Sequence, residues 1–594
     1  MEILSTDTSF LNLLIPDTNP VDITYDNEKL CEYVITLKNY EDLDAFYNDM
    51  ETVGGDLHIP NRAVDLADKR PISRNTHYFL TQLEAEQIKQ DARVEAVDLT
   101  YTEKGIEIKP TSQFSDSWSK QSTINNSSKN WGLFRSYTGS TVSGWGSDAT
   151  GNTSGTINLT NVGRNVDVVI CDGHIKPGHP EYAVNEDGTG GSRVIQYNWF
   201  QHNPTVRGST YPAGTYQYTF PTAGNTNNSH GMHVAGIAAG NTHGWARGAN
   251  IYNIYPYTVG NDNSFTNWAY YVIDYIRVFH SAKPINPSTG LKNPTIVNLS
   301  WALTASYNLT YISKIQFRGV DTSKPTTTNQ KAFFVQYKGY LGLVASDPAD
   351  ANVVLTLARN DALDADILDA INSGIIMVGA AGNYSMYNDI VGGREYGNGI
   401  YTTTNGSTVL SLQHYHRGGS PSASTGVINV SSVDSTVEER KADYSNAGPR
   451  TNIFAPGTLV VSATLGPTSI IDSRNSSYYL EVRSGTSQAA PQVTGILACA
   501  LETYPRMTYT EALTYITTYS TKNQLNDPTP PLDPTLPGQL STFTNFLGLM
   551  ESPNYYLKYP KEKLDNAQTY PKQNYKERPT SKITYPRFKR RLKG

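Results

Sequence analysis

The sequence lacks the features of a membrane protein and of a disulfide-rich scaffold. No run of 18 or more apolar residues occurs in the 594-residue chain, and the longest approach, residues 374–381, is too short to span a bilayer. The three cysteines Cys31, Cys171 and Cys499 cannot all pair, and they are too few for a disulfide framework. We therefore predict a chain without a membrane span that folds around apolar cores.

Charge is scarce and unevenly distributed. Asp, Glu, Lys and Arg make up 17% of the residues, and the net charge is −6. The last 42 residues, from Pro553, hold 12 Lys or Arg against 3 Asp or Glu, so this end carries +9 and the rest carries −15. Tyr-Pro stands next to a basic residue three times there, at Tyr559, Tyr570 and Tyr585. Such a tail is typically a solvated extension, and docking on an acidic partner, a particle or nucleic acid is the alternative.

Shifts in composition divide the chain into five parts. An N-terminal extension, residues 1–30, precedes residues 31–101, whose alternating strand and helix patterns are typical of a small α+β domain. Residues 102–129 are rich in Ser, Thr, Asn, Gln and Lys, which predicts an exposed linker that a protease can reach. The main domain follows at 130–523, and a Pro- and Tyr-rich basic tail is predicted for 524–594.

The main domain has the pattern of an α/β fold. Short apolar runs of the kind found in buried parallel strands occur at 166–171, 296–299, 375–378 and 427–433. Helical stretches and Gly-rich turns separate these runs, and the last helices are predicted at 487–503 and 509–518.

Four polar residues stand where predicted elements begin or end. Asp172 follows an apolar strand, on the side where open α/β sheets place their sites. His230 opens a helix of small residues, Asn383 ends a hydrophobic strand, and Ser487 opens a helix after Gly485. A hydroxyl, a base, an orienting carboxylate and an oxyanion donor are the groups that serine-dependent acyl transfer requires. Each signal alone is weak, and their combination is specific.

These residues and their neighbours resemble the subtilisin-like serine proteases, the subtilases, whose chain order is Asp, His, Ser. The motifs that carry the resemblance are Val168-Val169-Ile170-Cys171-Asp172-Gly173, Ser229-His230-Gly231-Met232-His233-Val234-Ala235-Gly236, Val378-Gly379-Ala380-Ala381-Gly382-Asn383 and Ser484-Gly485-Thr486-Ser487-Gln488-Ala489-Ala490-Pro491. The resemblance extends from about Trp131 to Thr521, and its start at residues 131–135 is similar to proteinase K-like enzymes. Long insertions are predicted before Asp172, between Asp172 and His230, and between Ser300 and Asn383.

The resemblance implies a three-layer α/β fold with a mostly parallel central sheet and helices on both faces. It implies a serine endopeptidase in which Asp172, His230 and Ser487 form the catalytic triad and Asn383 lines the oxyanion hole. The segments it assigns to substrate binding are Ser300-Trp301-Ala302 and Ala381-Gly382. Polypeptides are the implied substrates, and no cofactor is required.

Residues 31–101 resemble the inhibitory propeptide of subtilases, notably in the ending Val94-Glu95-Ala96-Val97-Asp98. The implied roles of this domain are intramolecular chaperone and inhibitor of its own catalytic domain. A zymogen that processes itself within residues 102–129 is the implied form of the protein.

The sequence departs from the family pattern at four positions. Gly173 follows Asp172 where a residue with a hydroxyl is usual, so one group that helps to fix the carboxylate is missing. Met232 replaces threonine, Gln488 replaces methionine, and Ala302 stands where glycine often lines the substrate strand.

Other residues near these motifs have simpler interpretations. His233 lies three residues after His230, but no third ligand has a helpful spacing, so we predict no metal site there. Cys171 fits a buried small hydrophobe, and His174 fits a loop residue near the cleft. Subtilases often bind structural Ca²⁺, and the loop Asn261-Asp262-Asn263 has suitable groups, but spacing alone identifies no ligand set.

Two other functions remain open at this stage. One is a structural or interaction protein, for example of a virus particle, that retains the fold with little or no activity. The other is a degenerate binding module in which the altered loop after Asp172 no longer orients His230. Residues 1–7 lack the basic start and apolar block of a secretory signal, which favours the cytoplasm or a viral particle over classical secretion.

Overall fold

The structure is a computed structural model. It describes residues 29–51, 65–68, 70–100, 103, 106–110, 114–115, 131–140, 157, 159, 161–216, 229–256, 268–308, 312–323, 344–347, 350–403, 410–435, 438–526 and 552–560.

The N-terminal domain, residues 31–101 in the predicted division, contains a four-stranded antiparallel sheet and two helices. Its elements are β1 (Cys31–Leu37), α1 (Leu43–Glu51), β2 (Asp65–Asp68), β3 (Asn75–Leu80), α2 (Gln82–Ile88) and β4 (Val94–Leu99). The strand order is β2-β3-β1-β4. Phe46 and Met50 of α1 pack with Ile35 of β1 in one buried cluster, so the apolar stripe of the helix covers the sheet. The sheet and its two helices form the small α+β unit that the alternating pattern predicts.

The remaining strands are β5 (Ile106–Pro110), β6 (Phe114–Ser115), β7 (Asp167–Cys171), β8 (Val194–Ile195), β9 (Asn250–Ile254), β10 (Thr295–Leu299), β11 (Trp301–Asn308), β12 (Ile312–Phe317), β13 (Val320–Ser323), β14 (Val344–Asp347), β15 (Asp350–Leu357), β16 (Ile376–Ala380), β17 (Gly399–Thr403), β18 (Leu410–His414), β19 (Ile428–Val433), β20 (Ile453–Pro456), β21 (Val460–Thr464), β22 (Ile470–Ile471), β23 (Tyr479–Ser484), β24 (Thr521–Lys522) and β25 (Tyr555–Tyr556). The remaining α-helices are α3 (Trp131–Thr138), α4 (Asn203–Val206), α5 (His230–Ala239), α6 (Trp268–Ala282), α7 (Asp361–Asn372), α8 (Thr486–Thr503) and α9 (Tyr509–Tyr519).

A nine-stranded sheet forms the centre of the main domain. Its order is β24-β25-β20-β19-β16-β10-β7-β9-β8, and every neighbouring pair except β24 and β25 is parallel. Successive side chains of β7 point to opposite faces, as the pleat requires. Val168 and Ile170 join the buried cluster that includes α5 and α8, and Val169 and Cys171 join the cluster with α6 and α7. This three-layer arrangement confirms the predicted α/β fold.

Three further sheets surround the central one. They have the orders β14-β15-β11-β5, β13-β12-β17-β18 and β21-β23-β22, and β6 also pairs with β23. Four of the eight strands of the first two sheets, β12 to β15, come from the predicted insertion between Ser300 and Asn383. The insertion therefore builds directly onto β11, the strand that begins at Trp301.

Residues 552–560 pack on the main domain, although composition assigns them to the tail. Tyr556 of β25 pairs with Phe454 of β20, and Tyr556, Leu557 and Tyr559 are completely buried. The ring of Tyr559 stacks on Trp245 with centroids 5.4 Å apart. Aromatic burial explains the difference, because a few buried rings outweigh the basic composition of their surroundings. The motifs at residues 570–572 and 585–587 lie outside the described residues.

In the part of the chain that the structure describes, none of the helices combines the length and the apolar composition that a bilayer crossing requires.

Candidate active site

Asp172 and His230 are joined by a short hydrogen bond. Asp172 follows β7 and is completely buried, and its Oδ1 accepts from His230 Nδ1 at 2.6 Å and from the backbone N–H of Gly173 at 2.6 Å. A carboxylate only accepts hydrogen bonds, so the proton of the pair lies on Nδ1 and Nε2 is the basic nitrogen. This is the tautomer that a general base at this position requires.

A glycine lets helix α5 approach the Asp172 loop. A Cβ added to Gly231 would lie 1.9 Å from the carbonyl oxygen of Gly173, far inside van der Waals contact. The small residue next to His230 is therefore needed to bring the imidazole onto the carboxylate. This explains why a helix of small residues carries the histidine.

Ser487 lies in the first turn of α8 and faces the end of the substrate strand. Its Oγ donates to the backbone oxygen of Ser300 at 3.2 Å. The Nε2 of His230 is buried and makes no hydrogen bond to any residue that the structure describes. Helices α5 and α8 pack directly against each other, and His230 and Ser487 are both completely buried. Hydrogen bonds between nucleophile and base often form only when substrate binds.

The side chain of Asn383 is oriented by Thr486. Its Oδ1 accepts from the backbone N–H and from the hydroxyl of Thr486, each at 2.8 Å. This fixes Nδ2 as the donor end of the amide. A Cβ added to Gly485 would lie 2.9 Å from Nδ2, so the glycine keeps the space beside the donor open.

Ala381 and Gly382 hold the loop that carries Asn383. The N–H of Ala381 donates to Val430, and the N–H of Gly382 donates to the hydroxyl of Thr486. Gly382 has a φ of +105°, a conformation that favours glycine. Because both N–H groups are used within the protein, the predicted contact of this segment with substrate cannot come from them.

The strand β11 forms the other predicted wall of the cleft. Trp301 is completely buried in the apolar cluster around α6 and α7, and Ala302 is 1% exposed. The packing role of Trp301 is therefore evident in the structure. The edge of β11 is occupied by β5, which runs antiparallel to it with Pro110 opposite Trp301 and Ile106 opposite Ala305.

Two short strands of the segment between the two domains pair with strands that lead to the site. Strand β5 ends at Pro110 on β11, and β6 places Phe114 opposite Ser484 of β23, three residues before Ser487. The predicted linker therefore contributes two strands to the site. The pairing of β5 with β11 has the geometry of a peptide that adds to a sheet edge.

The departures from the family pattern have visible consequences. Oδ2 of Asp172 is buried and makes no hydrogen bond to any described residue. Gly173, which follows Asp172, offers no hydroxyl. Gln488 Nε2 lies 3.4 Å from His233 Nδ1, while His233 Nε2 donates to the backbone oxygen of Glu481 at 3.0 Å. Burial lowers the pKa of His233, which favours its neutral ring.

His174 packs beside the site rather than within the triad. Its ring stacks on Tyr255 with centroids 4.3 Å apart, and burial lowers its pKa to about 4. Burial also raises the pKa of the Cys171 thiol, as expected for an inert core cysteine. Sequence reasoning did not predict the partners Thr486 and Tyr255.

Among the described residues, no group of three or more His, Cys, Asp or Glu side chains is placed to hold a metal ion. The loop Asn261-Asp262-Asn263, with its groups suited to Ca²⁺, lies outside the described residues.

Asp172 follows a strand of the parallel sheet, and His230 and Ser487 lie at the N-terminal ends of two helices packed on that sheet. The protein is therefore an α/β protein with an Asp-His-Ser arrangement. Comparison with known families identifies the chain more closely. The profile described as "Subtilase family" matches residues 163–532, so the chain belongs to the subtilase family. The recognition of the family from its motifs is thereby confirmed.

The relatives are distant and longer than the matched part of this chain. An extracellular serine proteinase of Thermus sp. is 30% identical over 176 residues, which cover 30% of this chain and 33% of the relative. A subtilisin-like protease of Coccidioides posadasii is 25% identical over 439 residues, 72% of this chain and 62% of the relative. Fervidolysin from Fervidobacterium pennivorans, a solved structure, has a TM-score of 0.48 and 16% identity, covering 93% of this chain and 62% of that one. The chain thus spans about a third and about three fifths of the two sequence relatives' lengths.

Proposed function

We propose that the protein is a serine endopeptidase that hydrolyses peptide bonds through an acyl-enzyme and is made as a self-processing zymogen. The observation that supports this most is the buried 2.6 Å hydrogen bond from His230 to Asp172, next to the helix α8 that carries Ser487 in its first turn, in a chain of the subtilase family. An inactive binding module would have no need for an imidazole held in the tautomer of a general base.

In the proposed mechanism, His230 Nε2 takes the proton of the Ser487 hydroxyl as Oγ attacks the scissile carbonyl. Asp172 holds the ring through Nδ1–H and stabilises the imidazolium that forms. His230 then gives the proton to the leaving amine, and a water molecule repeats the cycle on the acyl-enzyme. These residues supply all the chemistry, so the reaction requires no cofactor.

The developing oxyanion would be held by Asn383 Nδ2 and the backbone N–H of Ser487. Thr486 already fixes the amide of Asn383, so little reorganisation is needed during the reaction. Ser487 lies in the first turn of the 18-residue helix α8, whose dipole favours negative charge at this end.

The zymogen is proposed to cut itself between Pro110 and Phe114. These two residues pair with enzyme strands on either side of Ser487, so one of the four peptide bonds between them is the bond presented for attack. This interval is narrower than the predicted linker, residues 102–129.

Self-processing is tested by sequencing the N-terminus of the purified main domain. The wild-type chain is expected to yield a new terminus at Thr111, Ser112, Gln113 or Phe114, and the Ser487→Ala chain is expected to remain uncut. Addition of a trace of active wild-type protein controls for a variant that is folded but cut slowly. Equal processing of Ser487→Ala without added enzyme, or a terminus outside this interval, would contradict the proposal.

The N-terminal domain is the proposed inhibitor of the same chain, and a buried arginine anchors it. Arg70 is completely buried, and its Nη2 donates to Asp274 at 2.7 Å on α6 and to Asp366 at 2.8 Å on α7. Ser73 also donates to Asp366 at 2.6 Å, and burial raises the pKa of Asp366 to about 6. Removal of the cation would leave Asp366 with the hydroxyl of Ser73 and Asp274 with Arg277 at 3.3 Å, so each buried carboxylate would lose its short ion pair.

Arg70→Ala is expected to raise the dissociation constant of the cleaved N-terminal domain by about 10²- to 4 × 10³-fold, since breaking a buried ion pair costs about 3–5 kcal/mol. Arg74→Ala is the matched control, because Arg74 pairs with the half-exposed Glu95 and with Asp369 at 3.3 Å. Its expected loss is about fivefold or less. The dissociation constant of the processed complex, measured by titration of recovered activity, distinguishes the two, and equal effects would overturn the role of Arg70.

A further inference from the structure

Strand β11 continues well beyond the three residues that the sequence assigns to substrate binding. Five of its residues, from Trp301 to Ala305, have a partner in β5. On its other side, β11 pairs with β15 from Thr304 to Asn308. Strand β15 belongs to the insertion between Ser300 and Asn383, and it pairs with one edge of β11. The other edge, where β5 pairs, is left for an incoming peptide.

The direction of the backbone groups along β11 can be assigned. The N–H of Leu303 donates to Ser420 at 2.7 Å, and its C=O accepts from Ala358 at 2.9 Å, both on the side away from β5. Neighbouring residues of an antiparallel strand point their backbone groups to opposite sides. Ala302 and Thr304 therefore direct their N–H and C=O groups toward β5.

The position of Ser487 shows which substrate residue, counted from the scissile bond, lies opposite each residue of β11. Because its Oγ lies 3.2 Å from the carbonyl oxygen of Ser300, the substrate residue whose carbonyl is attacked lies opposite Ser300. The register of β5 then places the third residue before the bond opposite Ala302, the fifth opposite Thr304 and the sixth opposite Ala305.

From this register we propose that Thr304 is a further substrate-binding residue, acting through its backbone, and that the enzyme recognises extended polypeptide over six residues before the scissile bond. The inference rests on the proposed endopeptidase function. Each substrate residue opposite Ala302 or Thr304 exchanges two backbone hydrogen bonds with β11, independently of its side chain. The substrate class is unfolded or loosely folded chain, because a short loop cannot lie flat along this length of strand.

A series of internally quenched peptides tests the proposal on the processed wild-type enzyme. The peptides share the residues around the bond and have four, five, six or eight residues before it, with the cleaved bond verified by mass spectrometry. We expect kcat/KM to rise about tenfold from four residues to six, the effect of about 1.4 kcal/mol, and to stay level at eight. Equal values at four and six, or a rise only beyond six, would overturn it.

Changes in the peptide test the hydrogen bonds without altering the enzyme. N-methylation of the fifth residue before the bond removes the N–H that would donate to Thr304 C=O. This change should lower kcat/KM of the peptide with six residues before the bond to about that of the peptide with four. N-methylation of the fourth residue, whose N–H points away from β11, is the control and should retain the preference. Equal losses from both would count against the assigned register.

A pair of proline variants tests the enzyme side. Thr304→Pro removes the N–H that faces the substrate edge together with the buried Thr304 side chain, and should abolish most of the preference for six residues over four. Thr304→Val loses the hydroxyl and keeps the N–H, and it should retain the preference. Ser306→Pro removes an N–H on the same edge, beyond the last residue paired with β5. This variant should retain the preference for six residues over four. If the wild-type enzyme cleaves no peptide at all, the endopeptidase function itself fails. If it cleaves them without a length preference, only this inference fails.

Discussion

Replacing His230 with alanine is expected to lower kcat for peptide hydrolysis by about 10⁶-fold, and Ser487→Ala is expected to cause the same loss. Without the imidazole, no group within the described site can take the proton of the serine hydroxyl as it attacks. Without the hydroxyl, the imidazole has no nucleophile to activate. The double variant should therefore be no worse than either single one, because the two residues act as one unit.

The measurement requires variants freed of the N-terminal domain, since neither can process itself. A recognition sequence for a site-specific protease, placed within residues 116–130, allows the chain to be cut and the N-terminal domain to be removed. His280→Ala is the control, because this histidine of α6 bonds Thr295 and touches none of the triad residues. Its kcat should be unchanged. A His230→Ala enzyme that retains a hundredth of wild-type kcat, or a double variant much worse than the singles, would contradict the proposed triad.

The parts of the fold that can be predicted from the sequence are those with a local sequence pattern of their own. Strands β7, β10, β16 and β19 are covered on both faces, so their sequences are nearly continuous apolar runs that can be recognised without a partner. The four candidate site residues follow or precede such runs, and the order of the motifs is specific to the family. Their separation along the chain is large, but each has its own local signal.

Strand β5 shows where local patterns are insufficient. The alternation Ile106-Glu107-Ile108-Lys109 is a strand signal in its own right, but its polar surroundings indicate a linker. Its partner is Trp301–Ala305, nearly 200 residues away, and no pattern in either segment identifies the other. Pairing between distant strands is set by the fold as a whole, so it appears only in the structure.

The burial of the charged residue Arg70 also has no local signal in the sequence. Arg70 stands in a polar stretch of the N-terminal domain, where an arginine normally lies in solvent. It is buried because Asp274 and Asp366, on two helices of the other domain, meet it from both sides. The signal is a spatial pair of acids, and each acid alone resembles an ordinary polar residue of an amphipathic helix.

Asp172→Asn is expected to lower kcat by about 10⁴-fold with little change in KM. All of the described hydrogen bonds of this carboxylate use Oδ1, which accepts from His230 and from Gly173, while Oδ2 has none in the described residues. The N–H of Gly173 is fixed by the backbone, so the asparagine should turn its amide oxygen to this position. The imidazole would then keep its orientation and lose the negative charge that stabilises the imidazolium.

The experiment separates this electrostatic loss from a folding defect. The rate at which a fluorophosphonate labels Ser487 should fall together with kcat, because both reactions need His230 to become protonated. Asp167→Asn is the matched control, since Asp167 is a buried residue at the opposite end of the same strand and pairs with Lys283 at 2.8 Å. That change should lower stability and leave kcat unaltered. If Asp172→Asn retains a tenth of wild-type kcat, the charge of Asp172 has no large catalytic role, and the geometry of the imidazole alone would have to account for the activity.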